Sequence, residues 1–158
     1  MTTQLKRIST KDATGAPNGW LSPLEYDADG GTVAYITAVA PGCVKGPHLH
    51  HIREGNFTCI KGTVAIVTRE NGAYHTEVCG DSDLKRITVP PGVPCALYNI
   101  GFGEAQLLNH PHPPYRADQN DEHTVDDWNY APEPHDSSLD FSDPEVIRMA
   151  MSGLRADS

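Results

Sequence analysis

Residues 46–62, GPHLHHIREGNFTCIKG, place His48, His50 and His51 within four positions and follow them with Glu54. Imidazoles carry protons near neutral pH and also bind metals, so the cluster has two chemical readings. In an extended strand alternate residues share a face. His48 and His50 then point one way and His51 the other, as a surface residue. Read as a proton-transfer pair, His48 and His50 supply a base and a relay. Read as a metal site, His48, His50 and Glu54, with Cys95 as fourth donor, form a set suited to Zn²⁺ or Fe²⁺. The plainer account of Cys95 is a thiol packed among apolar neighbours. His110 and His112, set among Pro111, Pro113 and Pro114, form a further pair on backbone that proline keeps extended.

The cations Lys45, Arg53, Lys61, Lys85, Arg86 and Arg116 are scattered along the chain. If strand pairing gathers several at one mouth, they make an anion site in a protein of net charge −9. That overall charge argues against general attraction to nucleic acid or to an anionic membrane.

The elements that must position these groups read as strands. TVAYITAVA (32–40) is rich in β-branched residues, LKRIST (5–10) and LKRITVP (84–90) alternate, and ALYNI (96–100) and EAQLLNH (104–110) flank Gly101-Phe102-Gly103. Segment 56–71 reads as two strands kinked at Gly62. Asn71-Gly72 then predicts a hairpin with 73–78. Short strands with closely spaced turn signals predict an all-β sandwich or small barrel. Ser142-Asp143-Pro144-Glu145 has the form of a capping box, and Val146, Ile147, Met149 and Ala150 predict a short C-terminal helix. The acidic stretch 121–140 reads as irregular, a tail wrapping the barrel or a partner subunit.

At 158 residues, 38 % apolar, with Gly 14 and Pro 13, the chain suits one loop-rich β domain. A β domain over residues 1–130 and a tail with a short helix over 131–158 are expected. Four cysteines without a CxxC, and no secretory start, predict reduced thiols in a cytoplasmic protein.

Two patterns resemble the cupin family. Gly42-x5-His48-x-His50-x3-Glu54 followed by Gly62 resembles the first cupin motif, with one extra residue between Glu54 and Gly62. Pro90-Pro91-Gly92-x2-Cys95-x3-Asn99 resembles the second, with Cys95 in place of its histidine. VKGPHLH (44–50) is similar to the Arg-Gly-x-His-x-His segment of nucleotide-sugar 3,4-ketoisomerases. It also resembles the Arg-Gly-Leu-His segment of dTDP-4-dehydrorhamnose 3,5-epimerases. Residues 89–109 and 114–128 follow the order of these families' C-terminal half.

The resemblance implies an all-β, cupin-type jelly-roll barrel and a homodimer. It implies an enzyme without metal or other cofactor, moving a proton beside the carbonyl of a nucleotide-linked 4-keto-6-deoxy sugar. The catalytic residues it implies are His48, His50 and Tyr115. The substrate-binding residues are Lys45, Arg53, Asn56, Cys95, Asn109 and His112, with Lys45 replacing an arginine that meets the diphosphate. The tyrosine acid of the epimerases falls near Leu108, where no tyrosine stands, so proton transfer on one face of the sugar is favoured. The aspartate that orients the epimerase base is matched only loosely by Asp140 and Asp143. The alternatives are a metal-dependent, dioxygenase-type cupin using His48, His50, Glu54 and Cys95, and a non-catalytic sugar- or small-molecule-binding cupin.

Overall fold

The computed structural model describes residues 1–132. The predicted helix over 142–150, Asp140 and Asp143 lie outside the described residues, as does most of the expected tail 131–158.

Among the described residues, eleven strands make two antiparallel sheets. They are β1 (Ile8–Lys11), β2 (Pro17–Tyr26), β3 (Thr32–Val39), β4 (Val44–His50), β5 (Gly55–Lys61) and β6 (Thr63–Glu70). Then come β7 (Ala73–Gly80), β8 (Arg86–Val89), β9 (Cys95–Asn99), β10 (Ala105–Asn109) and β11 (Glu122–Thr124). One sheet has the order β1-β2-β3-β10-β5-β8 and the other β11-β4-β9-β6-β7. From β3 to β6, and again from β8 to β10, the chain changes sheet at every strand. That is the winding of a jelly roll. β1 and β2 extend the first sheet, and β11 adds an edge to the second.

The hairpin at Asn71-Gly72 forms, with φ of 51° and 77° at its two central residues, as a tight hairpin turn requires. Only Thr63–Glu70 pairs with Ala73–Gly80, however. The first half of the predicted segment, β5, crosses at Gly62 into the other sheet and pairs with β8 and β10. The apolar alternation accounts for this division. Val64, Ile66, Cys59, Leu97 and Leu107 point between the sheets and form the core with Val39 and Val89.

The stretch 121–140 was expected to be irregular, but Glu122–Thr124 pairs with β4 as an edge strand. The residues after it lie along the outer face of the second sheet. Trp128 Nε1 donates to the hydroxyl of Tyr98 (2.8 Å), and the Tyr98 hydroxyl donates to the carbonyl of Tyr130 (2.8 Å). Tyr74 meets Trp128 edge-on and stacks on Tyr130, while Arg69 pairs with Asp127 (3.0 Å). Ala65 and Val67 are thereby fully buried on a face that would otherwise meet water. No helix among the described residues is long and apolar enough to cross a membrane.

Candidate active site

β4 carries the site. On one side it pairs with β9, matching Lys45 to Leu97 and His48 to Cys95, with a register break between those two pairs. On the other it pairs with β11, matching His50 to Glu122 and His48 to Thr124. Lys45 and His48 are three residues apart, which in a regular strand would put them on opposite faces. The break turns both inward. Gly46 allows it: its φ is +99°, and a Cβ there would sit 2.7 Å from the carbonyl oxygen of Cys95. His51 faces outward as expected, exposed and against the ring of His123.

The inward groups line a cavity of about 260 Å³ between the sheets. His48 and His50 stand on one wall, ring centroids 6.4 Å apart. Glu122 bridges them: its Oε1 is 3.4 Å from His48 Nδ1 and 3.6 Å from His50 Nε2. His50 Nε2 is buried and has no hydrogen-bond partner. Burial holds His48 below the ordinary histidine range, against the pull of the Glu122 charge. Contact with His50 brings Glu122 down to about 2, against its own partial burial. The pair therefore meets neutral pH as uncharged His48 beside a fixed carboxylate.

Two cations reach the same cavity. Lys45 Nζ donates to the carbonyl of Trp20 (2.8 Å) and to Thr37 Oγ1 (2.9 Å), and burial lowers its pKa to about 8. Arg53 is 8 % exposed, lying 3.6 Å from the carboxylate of Asp121. The facing sheet supplies Tyr35, whose hydroxyl accepts from Asn109 Nδ2 (2.6 Å), leaving its own O–H to donate. Burial raises the pKa of Tyr35 and carries the Cys95 thiol up to about 12.

His48, His50, Lys45, Arg53, Cys95 and Asn109 are thus brought together, as the sequence implied. Glu54, Asn56, His112 and Tyr115 do not line this cavity. Gly55 and Phe57 face it, so Glu54 and Asn56 take the other face of β5. There Asn56 Nδ2 donates to Glu54 Oε1 (3.2 Å) and Asn56 Oδ1 accepts from Thr88 (2.7 Å). His112 is tied by its backbone to Glu54. Tyr115 lines an adjoining hollow, its ring 4.8 Å from the Arg53 guanidinium. Of the other cations, Arg116 pairs with Asp27, and Lys85 with Glu77 and Asp83. Among the described residues no three His, Cys, Asp or Glu side chains are arranged to hold a metal ion.

Sequence reading missed Glu122, Tyr35 and Thr37. The last two share a face of β3 by period-two spacing, which was a usable signal. Glu122 had a weaker one, a short polar stretch able to alternate inside an acidic run.

Fold and site together define a cupin-type jelly roll with a histidine–carboxylate centre and buried cations. Residues 12–122 match the model of the family described as FdtA, WxcM-like, C-terminal, and the chain belongs to that family. Similar solved structures include the capsular polysaccharide assembling protein CapF of Staphylococcus aureus, at TM-score 0.66 and 18 % identity over 79 % of this chain. The match covers 32 % of CapF, so this chain spans about a third of that protein's length. QdtA, a sugar 3,4-ketoisomerase from Thermoanaerobacterium thermosaccharolyticum solved with TDP, aligns at TM-score 0.51 and 19 % identity over 79 % of this chain and 90 % of its own. A dTDP sugar isomerase from Desulfovibrio desulfuricans G20 aligns at TM-score 0.55 and 21 % identity, over 78 % of this chain and 82 % of its own. A search of curated proteins gave no match.

Proposed function

We propose that the protein is an isomerase of nucleotide-linked 4-keto-6-deoxy sugars, working by histidine proton transfer without a metal. The carrying observation is the pair His48 and His50 with Glu122 between them, in a cavity that also holds Lys45 and Arg53; the buried Nε2 of His50 makes no hydrogen bond and has the Glu122 carboxylate 3.6 Å away. A buried polar atom without a hydrogen bond in the protein is suited to take one from a ligand's polar group. Family membership and the two isomerases of like fold support the substrate class.

Glu122, lying at His48 Nδ1, favours the proton there and leaves Nε2 as the base. His48 takes the proton beside the C4 carbonyl. The electron pair moves onto oxygen as an enediolate, which the ammonium of Lys45 and the guanidinium of Arg53 face. His48 returns that proton to C4, and His50 moves the hydroxyl proton from the C3 oxygen to the C4 oxygen, which completes the 3-keto isomer. Both histidines stand on one wall, which suits transfer on one face of the sugar and favours ketoisomerisation over 3,5-epimerisation. The adjoining hollow, with Tyr115 braced by Arg53, takes the rest of the substrate. What disfavours the metal-dependent reading is the placement of Glu54, which does not line the cavity that holds His48, His50 and Cys95. A homodimer belongs to the same proposal.

The test is exchange of substrate protons into D₂O, followed by proton NMR with dTDP- and GDP-linked 4-keto sugars. Exchange at C3, followed by appearance of the 3-keto isomer, is expected. No exchange with any of these sugars by the folded protein would overturn the reading.

A further inference from the structure

β11 is three residues long, exposed throughout, and paired with β4 alone. So short and open an edge strand has few contacts of its own to keep it closed. Yet it carries the carboxylate that bridges the two histidines. The residue before it is of the opposite kind. Asp121 is 3 % exposed. Its Oδ1 accepts the backbone N–H groups of His51 and Ile52 (2.9 Å each), and its Oδ2 accepts that of Arg53 (3.1 Å). The guanidinium of Arg53 lies 3.6 Å from the same oxygen. Three successive amides of the turn that leaves β4 therefore close on one carboxylate at the start of β11.

We propose that Asp121 is a positioning residue that pins β11 to the turn His51–Arg53 and so holds Glu122 between His48 and His50. The inference rests on the proton-transfer reading of that pair and adds a residue to it. Its logic is mechanical. Charge-assisted bonds to backbone N–H groups are about twice as strong as neutral ones, and three of them act on the residue next to Glu122. An amide in place of the carboxylate would present an NH₂ group to N–H donors and lose at least one bond. Glu122 would then leave His48, whose other charged neighbours are His50 and Lys45 on β4 and Arg53 in the turn. Glu122 raises the pKa of His48, while these three lower it.

The experiment is an imidazole NMR titration of the full chain, with His48 assigned by His48→Asn. Wild type is compared with Asp121→Asn, Glu122→Gln and the double variant. Both single variants are expected to lower the pKa of His48, by about half a unit or more. The double variant is expected to match Glu122→Gln alone, because neighbours acting through one contact are not additive. An unchanged His48 pKa in folded Asp121→Asn would overturn the proposal. So would a full extra shift in the Glu122→Gln background, which would assign the effect to the unpaired charge of Arg53. If Asp121→Asn does not fold, amide hydrogen exchange in the wild type decides. The amides of His51, Ile52 and Arg53 are expected to open together with those of β11, and opening of β11 with the turn still protected would overturn it. None of these readouts needs a substrate, so a failed sugar assay and a failed titration are separable results.

Discussion

The two ends of the five-stranded sheet are built by different rules. At one end β6 and β7 pair without a break from Thr63↔Gly80 to Glu70↔Ala73. At the other, β4 breaks register between Lys45 and His48 and meets only the three residues of β11. The regular end gives Val64, Ile66 and Cys79 to the core. The irregular end gives Lys45, His48, His50 and Glu122 to the cavity. Unbroken pairing sends every second residue inward, which suits a side chain that gains by leaving water. A broken register gathers inward groups that alternation would separate, and these are charged or titratable groups whose burial costs stability. The scaffold and the chemistry of one sheet are therefore separable by substitution.

The largest expected effect is on chemistry alone. His48→Asn should cut proton exchange by about 10²–10⁴-fold, with the thermal midpoint little changed. Exchange rate and calorimetry together check this, and a large fall in midpoint would erase the distinction between the two ends. Ile66→Ala should do the reverse. It should cost about 2–5 kcal/mol in urea unfolding, with the exchange rate per folded molecule unchanged.

Smaller effects sharpen the contrast at two glycines with positive φ. At Gly72 a Cβ meets nothing within 4 Å, so Gly72→Ala should cost only the backbone preference, about 1 kcal/mol. At Gly46 the Cβ would meet the carbonyl of Cys95. Gly46→Ala should therefore cost more, roughly 1–3 kcal/mol, and also slow exchange by moving His48. Urea midpoints and exchange rates on the two variants test both halves of that statement.

The smallest effects are in pH dependence. His48 is held below its ordinary value of 6.5, so the acid limb of the exchange rate should fall below pH 6.5, where the base becomes protonated. Lys45, at about 8, is an ammonium below that pH and an amine above it. The exchange rate should therefore fall as pH rises through about 8, where the enediolate loses that charge, and Lys45→Met should remove the step.

Legibility in the sequence followed the same division. The β6–β7 hairpin could be read because alternation and Asn-Gly are local signals, each sufficient within a few residues. The inward pair His48 and His50 could be read for the same reason. Glu54 misled because it is near in sequence, while a shift of one position along a strand reverses the face. Gly55 and Phe57 took the inner positions, and Glu54 went out with Asn56. Glu122 was hidden because its partner strand comes from far along the chain. An acidic, mostly exposed edge strand also lacks the apolar period by which strands are recognised. Asp121 was hidden for a third reason. Its partners are backbone amides, and those have no letter in a sequence.

The segment that lies along the outer face of the second sheet gives the protein a pair of built-in optical reporters. The chain has two tryptophans. Trp20, on β2, donates to Glu104 and lies under the guanidinium of Arg7. Trp128 sits on the opposite sheet, against Tyr74 and bonded to Tyr98. Their emission therefore reports different bodies of structure. In Trp20→Phe, the remaining indole brightens or shifts to the red when residues 126–130 lift from β6 and β7. Circular dichroism meanwhile follows the strands. A separation of the two signals along a denaturant series would measure how firmly that covering segment is fastened, independently of the fold beneath it.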